Sequence, residues 1–212
     1  MLQKALLLSG LASSLVYAAV NVAVPMTWDE YSIASRTVSE LSAIGTPTRE
    51  LWISLIVPYI VLFAAFGLGV LKSAGGNRWL RIAGWIILAY SAFNLYWPPM
   101  HRREVLATGG GTLTDTLHLV WAGVTVFLFV LIMGFGAIAL GRLFRVYTVV
   151  SVVVLIVCGL MTSLDAPNVA ANLPTPWIGV WERVNISVFL LWVAVLSISL
   201  MRLEGDARYS GA

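Results

Sequence analysis

The sequence predicts an all-α integral membrane protein: six transmembrane helices in a single domain over 1–212, both termini cytoplasmic, with ordered outer loops. Three observations carry that expectation. Of the 212 residues, 59% are hydrophobic and 11% charged, whereas a soluble domain carries about a quarter charged residues. Six apolar runs, 5–26, 51–71, 80–97, 117–140, 146–164 and 176–201, approach the roughly 20 residues that a helix needs to cross a hydrocarbon core. None of them alternates as the strands of a membrane β-barrel do.

The first run follows a single basic residue, Lys4. It exceeds the h-region of a signal peptide, so it reads as the first helix. Orientation follows from the basic residues near the helix ends. With the N-terminus inside, Lys4, Lys72, Arg78, Arg81, Arg142, Arg145, Arg202 and Arg208 are cytoplasmic, against Arg36, Arg49, Arg102, Arg103 and Arg183 outside. Glu204 and Asp206 are the acids left inside. The basic residues are scattered, so the formal charge of +3 points to membrane topology rather than to nucleic acid. The lone Cys158 allows neither an internal disulfide nor a CxxC site.

Inner connections are short, at 72–79 and 141–145, while the outer loops at 27–50, 98–116 and 165–175 are long. Long loops in a compact protein are functional or disordered, and these carry signals of order. Thr37-Val38-Ser39-Glu40 fits a capping box. Val38, Leu41 and Ile44 give the following short helix one apolar side, which suits an interfacial position. Gly45 then closes it, and Thr46-Pro47 starts the second membrane helix. Thr175-Pro176 repeats that start before the sixth. Pro58 marks a possible kink in the second helix. Gly109-Gly110-Gly111 reads as a movable lid or a plain flexible connection.

Polar groups inside spans face the bundle interior or a water-filled cavity. Ser9, Ser13, Tyr17 and Asn21 recur every four residues on one side of the first helix. Tyr90, Asn94 and Trp97 share a side of the third, and Glu182 and Asn185 a side of the sixth. Asp115 and His118 are neighbours on the first turn of the fourth. The structural alternatives are plain: serines bond their own backbone, Tyr and Trp anchor at interfaces, and Asp115 caps its helix in Thr112-Leu113-Thr114-Asp115. The only histidines, His101 and His118, fall at the outer end. A carboxylate such as Asp115 can orient His118 for acid–base work. A divalent metal such as zinc would take His101, His118 and one of Asp115, Glu104, Asp165 or Glu182, although no HExxH is present. A serine hydrolase based on Ser39 would lack the GxSxG elbow.

Tyr31-Ser32, Thr37-Val38-Ser39-Glu40-Leu41 and Gly45-Thr46-Pro47 stand before the second helix, and Met100-His101-Arg102 stands before the helix of His118. In these the chain resembles a domain-of-unknown-function family of small bacterial and archaeal six-helix membrane proteins, distantly similar to the DRAM and Frag proteins. The resemblance implies the six-helix fold with a polar outer face and supplies no reaction. Trp97-Pro98-Pro99 stands where a more acidic Pro-Asp-like segment is expected, which weakens a metal assignment.

The expectation for function is an outward-facing pocket that binds a lipid or other amphiphile and hydrolyses or remodels it, in the bacterial inner membrane. His118, Asp115 and His101 would be its acid–base or metal-binding groups. Arg102 and Arg103 would bind an anionic headgroup, with Asn94, Glu182, Asn185, Tyr17 and Asn21 lining the pocket. Two alternatives stand beside it: a non-catalytic accessory subunit or scaffold of a larger membrane complex, and a small transporter.

Overall fold

Six helices run back and forth between two ends of the bundle. The computed structural model describes the backbone of residues 1–210 and the side chains to Gly205. Asp206 and Arg208, assigned to the cytoplasmic side above, lie outside the described side chains. The order is α1 (Leu2–Ala23), α2 (Arg49–Ser73), α3 (Arg78–Phe93), the single-turn-and-a-half α4 (Arg103–Ala107), α5 (Leu113–Ala139), α6 (Arg142–Ala170) and α7 (Ile178–Ser210). Two 3-10 turns, Pro25–Thr27 and Ser39–Ser42, lie between α1 and α2. No strand forms among the described residues; one isolated bridge joins Ile44 to His101.

Five helices, α1, α2, α5, α6 and α7, are long and apolar enough to cross a membrane. The expected sixth, α3, has only 16 residues, about 24 Å at 1.5 Å per residue against a core of about 30 Å. It ends where Asn94 takes the C-cap position and Pro98-Pro99 come next, a pair that pushes preceding backbone out of the helical region. α3 packs between α2 and α5, and its N-cap Asn77 donates to Ala139 O at the end of α5 (3.1 Å). The start of α1, the end of α2 and the end of α7 meet through Gln3 Nε2 donating to Ser73 Oγ (2.6 Å) and Ser73 Oγ donating to Glu204 (2.7 Å). We call this the turn end and the opposite one the loop end.

Around the bundle the helices neighbour one another in the order α6, α7, α1, α2, α3, α5. The centre holds Phe63, Phe66, Phe189, Trp192, Met133 and Leu196, each fully buried. Large apolar side chains such as Leu15, Val61, Phe127, Val153 and Leu191 face outward; lipid, not water, suits such a surface. The serines of α1 act as the structural alternative held: Ser9 and Ser13 donate to Leu6 O and Gly10 O of their own helix. Ser14 to Leu190 O and Ser197 to Leu7 O stitch α1 to α7.

The ring has one thin seam. In their most apolar stretches α5 and α6 are 28% and 22% buried, against 39% to 50% in α1, α2 and α7. Only Leu140-Gly141 separates the two helices at the turn end, where Gly136 of α5 receives Trp192 of α7.

The loop between α1 and α2 corrects two expectations. The capping box at Thr37 forms, with Glu40 Oε2 accepting from Thr37 N (2.8 Å) and Thr37 Oγ1 accepting from Glu40 N (3.1 Å). It opens a four-residue 3-10 turn whose Val38 and Leu41 are buried in the protein core, not a helix lying on the membrane surface. The second helix starts two residues late, with Thr48 at the N-cap, because Thr46 Oγ1 closes the preceding turn on Ala43 O (2.9 Å). Gly45, as expected, sits at φ +84°. α2 passes Pro58 as one continuous helix.

Candidate functional site

The three loops of the loop end knit into a roof. Ile44 N donates to Met100 O (2.8 Å), joining the first loop to the second, and Gly179 N donates to Ala34 O (2.9 Å), joining α7 to the first. Gly179 is required there: a Cβ would stand 2.3 Å from the carbonyl oxygens of both Ile33 and Arg36. Side chains complete the weave. Arg103 donates through Nε to Glu40 Oε1 (2.8 Å) and through Nη2 to Oε2 (2.7 Å), the forked geometry that suits guanidinium and carboxylate. Its Nη1 reaches Thr175 Oγ1 (3.2 Å). Arg36 bridges Glu40 (3.1 Å) and Glu104 (3.3 Å). Arg183 donates to Tyr31 Oη (2.6 Å) and Ile33 O (2.8 Å). Burial raises the Tyr31 hydroxyl's pKa, so it stays a neutral donor to Thr37 O (2.7 Å). Burial also opposes ionisation of Glu104, but its own backbone amide and the guanidiniums of Arg36 and Arg102 outweigh that and hold its carboxyl below 4.5.

The two arginines expected at a headgroup, Arg102 and Arg103, both take part in this weave. Arg103 is 6% exposed and spends its donors on Glu40, Thr175 and Ser35 O. Arg102 contacts Glu104 (3.3 Å) and lies over the Trp28 ring. Arg103, committed in this way, holds the loops together.

Below the roof lies a cavity of about 530 Å³, within the usual size range of small-molecule sites. It exists because α5 and α6 face each other there through small residues, Ala122, Gly123, Gly159, Ser163 and Ala166, which cannot interdigitate to fill the gap. Phe129 and Phe189, stacked with centroids 3.5 Å apart, form its floor, and Val38, Ser39 and Ser42 its ceiling. Tyr17, Tyr59, Tyr90 and Asn94 line the wall opposite the seam. The mouth is the seam itself: lining residues Leu119, Ile156 and Leu160 are 61%, 42% and 60% exposed, so the cavity opens sideways between α5 and α6.

Polar chemistry concentrates on one stripe of α5. His118, Trp121 and Thr125 fall at i, i+3 and i+7, hence on one face, and all three line the cavity. His118 Nε2, Trp121 Nε1 and Thr125 Oγ1 are buried atoms without a hydrogen-bond partner among the described residues. His118 Nδ1 lies 2.7 Å from Pro98 O. A carbonyl oxygen only accepts, so in the neutral ring Nδ1 carries the hydrogen and Nε2 presents its lone pair. Across the cavity, Glu182 accepts from Val38 N and from Ser39 Oγ (3.2 Å).

Of the residues expected at the site, His118, Asn94, Glu182, Asn185 and Tyr17 line this cavity; His101, Asp115, Arg102, Arg103 and Asn21 do not. Asp115 pairs with His101, not with His118: it accepts from His101 N (2.6 Å) and contacts Nδ1 (2.9 Å) while completing the Thr112 capping box of α5. Neighbours on a helix face need not bond; Asp115 turns back over the N-terminus, and Pro98 takes its place beside His118. The expected metal set is thereby dispersed, and among the described residues no three His, Cys, Asp or Glu gather as ligands. Asn185 donates to Leu155 O (2.5 Å), tying α6 to α7. Asn21 donates to Tyr17 O of its own helix (3.2 Å). Gly109-Gly110-Gly111 is no loose lid: Gly109, at φ +78°, stops α4, and Gly110 N donates to Val105 O (3.0 Å).

Trp121 and Thr125 escaped the sequence reading. Their signal was the continuation of the His118 stripe by one and two helical turns, which a tryptophan near a span end and a lone threonine do not advertise.

No curated protein and no solved structure matches the chain. Residues 11–199 match the family described as "Protein of unknown function (DUF998)", which covers most of the chain, and the protein belongs to that family.

Proposed function

We propose that this membrane protein binds one amphiphile in the cavity between α5 and α6, its apolar part entering through the seam and its polar end resting beneath the roof. The observation that carries the reading is the combination at one place: a cavity with an apolar mouth (Leu119, Ile156, Leu160) and unpartnered polar atoms on the buried face of α5. A side opening onto lipid suits a ligand that never leaves the bilayer. In this reading α3 is the sixth crossing, completed by Leu95, Tyr96 and Trp97, and both termini are cytoplasmic, as the basic-residue bias favours. The roof then faces the outside of a bacterial inner membrane.

Binding is favoured over hydrolysis by the wiring of Ser39, whose hydroxyl donates to Glu182 (3.2 Å). His118 Nε2 remains the basic atom that would take a hydrogen from a bound ligand. The test is lipid extraction and mass spectrometry on the purified full chain, compared with Ala122→Trp, which fills the cavity from its lining. A lipid enriched over the bulk extract and lost in Ala122→Trp is the expected result. Identical lipid profiles for the two proteins refute the reading.

A further inference from the structure

We infer that the ligand is a neutral lipid whose polar end is an alcohol, seated on the His118–Trp121–Thr125 face of α5. This rests on the cavity being an amphiphile site and assigns the class of amphiphile.

Charge decides first. Among the described residues no lysine or arginine lines the cavity. The roof arginines direct their paired donors elsewhere: Arg103 and Arg36 to Glu40, and both terminal nitrogens of Arg183 to Tyr31 and backbone carbonyls, with only its Nε left unpartnered among the described residues. Glu182 is the lining acid, and its oxygens already accept from Val38 N and Ser39 Oγ. A phosphate or carboxylate would therefore be stripped of water with no cation to meet it and a carboxylate across the cavity, an arrangement that is costly in a low-dielectric site.

Donor and acceptor matching decides next. Pro98 O fixes His118 with Nε2 as acceptor. Trp121 Nε1 can only donate, and Thr125 Oγ1 can do either. The complement of an acceptor beside a donor is a hydroxyl, which gives its hydrogen to Nε2 and takes one from Nε1 or Oγ1. His118 is 5% exposed, so leaving its Nε2 unmatched in the bound state would weigh heavily. The same chemistry is offered by a diacylglycerol and by a free polyprenol.

The experiment uses the full chain in phosphatidylcholine nanodiscs, photolabelled with diazirine-bearing dioleoylglycerol and mapped by peptide mass spectrometry. Expected are saturable labels on α5 and α6, displaced by unlabelled dioleoylglycerol or a long-chain polyprenol at concentrations at least about tenfold below those needed for dioleoyl phosphatidylglycerol. Which of the two alcohols displaces better identifies the source. His118→Leu and Thr125→Val should each weaken labelling, His118→Leu by about tenfold, with His118→Gln, which restores an acceptor, recovering part of it. Thr125→Val covers the case in which His118→Leu fails to fold. Equal or better displacement by phosphatidylglycerol, or by a trimethylammonium lipid, overturns the neutral-alcohol assignment and leaves the cavity reading standing. No saturable labelling by any of these lipids overturns both.

Discussion

Glu40 is the side chain on which the roof converges, and replacing it is the sharpest test of how the loop end is held. Its carboxylate is 1% exposed and meets two guanidiniums, Arg103 at 2.7 Å and Arg36 at 3.1 Å. Glu40→Ala leaves Arg103, itself 8% exposed in its side chain, as a buried cation without its partner. Breaking a buried pair from one side costs about 3–5 kcal/mol. For a chain of this length that corresponds to a fall of roughly 6–20 °C in Tm, read by tryptophan fluorescence of the detergent-purified protein. Glu40→Gln/Arg103→Met, which removes both charges while keeping volume, should recover much of the loss, since paired removal is far cheaper than single removal. Arg103→Met alone should destabilise as Glu40→Ala does. If Arg103→Met leaves Tm unchanged but weakens binding of anionic lipid vesicles, Arg103 greets headgroups after all and the clamp reasoning fails.

Two more substitutions probe the same loop end. Gly179→Ala places a Cβ 2.3 Å from two carbonyl oxygens and should cost at least about 1–3 kcal/mol as overpacking, measured by Tm; a neutral substitution would mean α7 does not seat against the Ile33–Arg36 turn. Glu104 has its carboxyl held below the ordinary 4.5, so its contribution is complete above pH 4.5 and fades as pH falls through its lowered folded value. The stability difference between the wild type and Glu104→Gln should thus be constant from neutral pH down to about 4.5 and close below it. A difference that widens in acid would contradict the Arg36–Glu104–Arg102 contacts.

Much of the fold can be read from the sequence because hydrophobic length is a local property. The runs at 51–71 and 146–164 fall within long helices; those at 117–140 and 176–201 overrun α5 by one residue and precede α7 by two, and that at 5–26 runs past α1 into the Pro25–Thr27 turn. The run at 80–97 overshoots for a physical reason: Leu95, Tyr96 and Trp97 are apolar, but Asn94 caps and Pro98 forbids, and hydropathy sees neither. Glycine-ended turns at Gly45 and capping boxes at Thr37 and Thr112 are equally local, and they form.

The site was legible where a polar residue interrupts an apolar run. Glu182, Asn94 and His118 stand out in apolar spans, and all three reach one cavity. Partnership across the chain is invisible to such reading. Glu40 and Arg103 are 63 positions apart, so the arginine looks like a free headgroup binder until the loops close. Asp115 and His118 are adjacent on a helix, yet the first bonds His101 and the second Pro98 O, since each finds a closer partner in the returning loop. Trp121 and Thr125 carry no unusual charge, and it is the missing bulk of Ala122, Gly123 and Gly159 that turns them into a site.

That the seam between α5 and α6 admits a lipid can be seen directly in a density map of the protein held in native-lipid nanodiscs. The expected result is an elongated feature passing between Leu119 and Leu160 and ending within hydrogen-bond distance of His118 Nε2. A seam closed by side chains, with His118 Nε2 bonded to the protein itself, would contradict it.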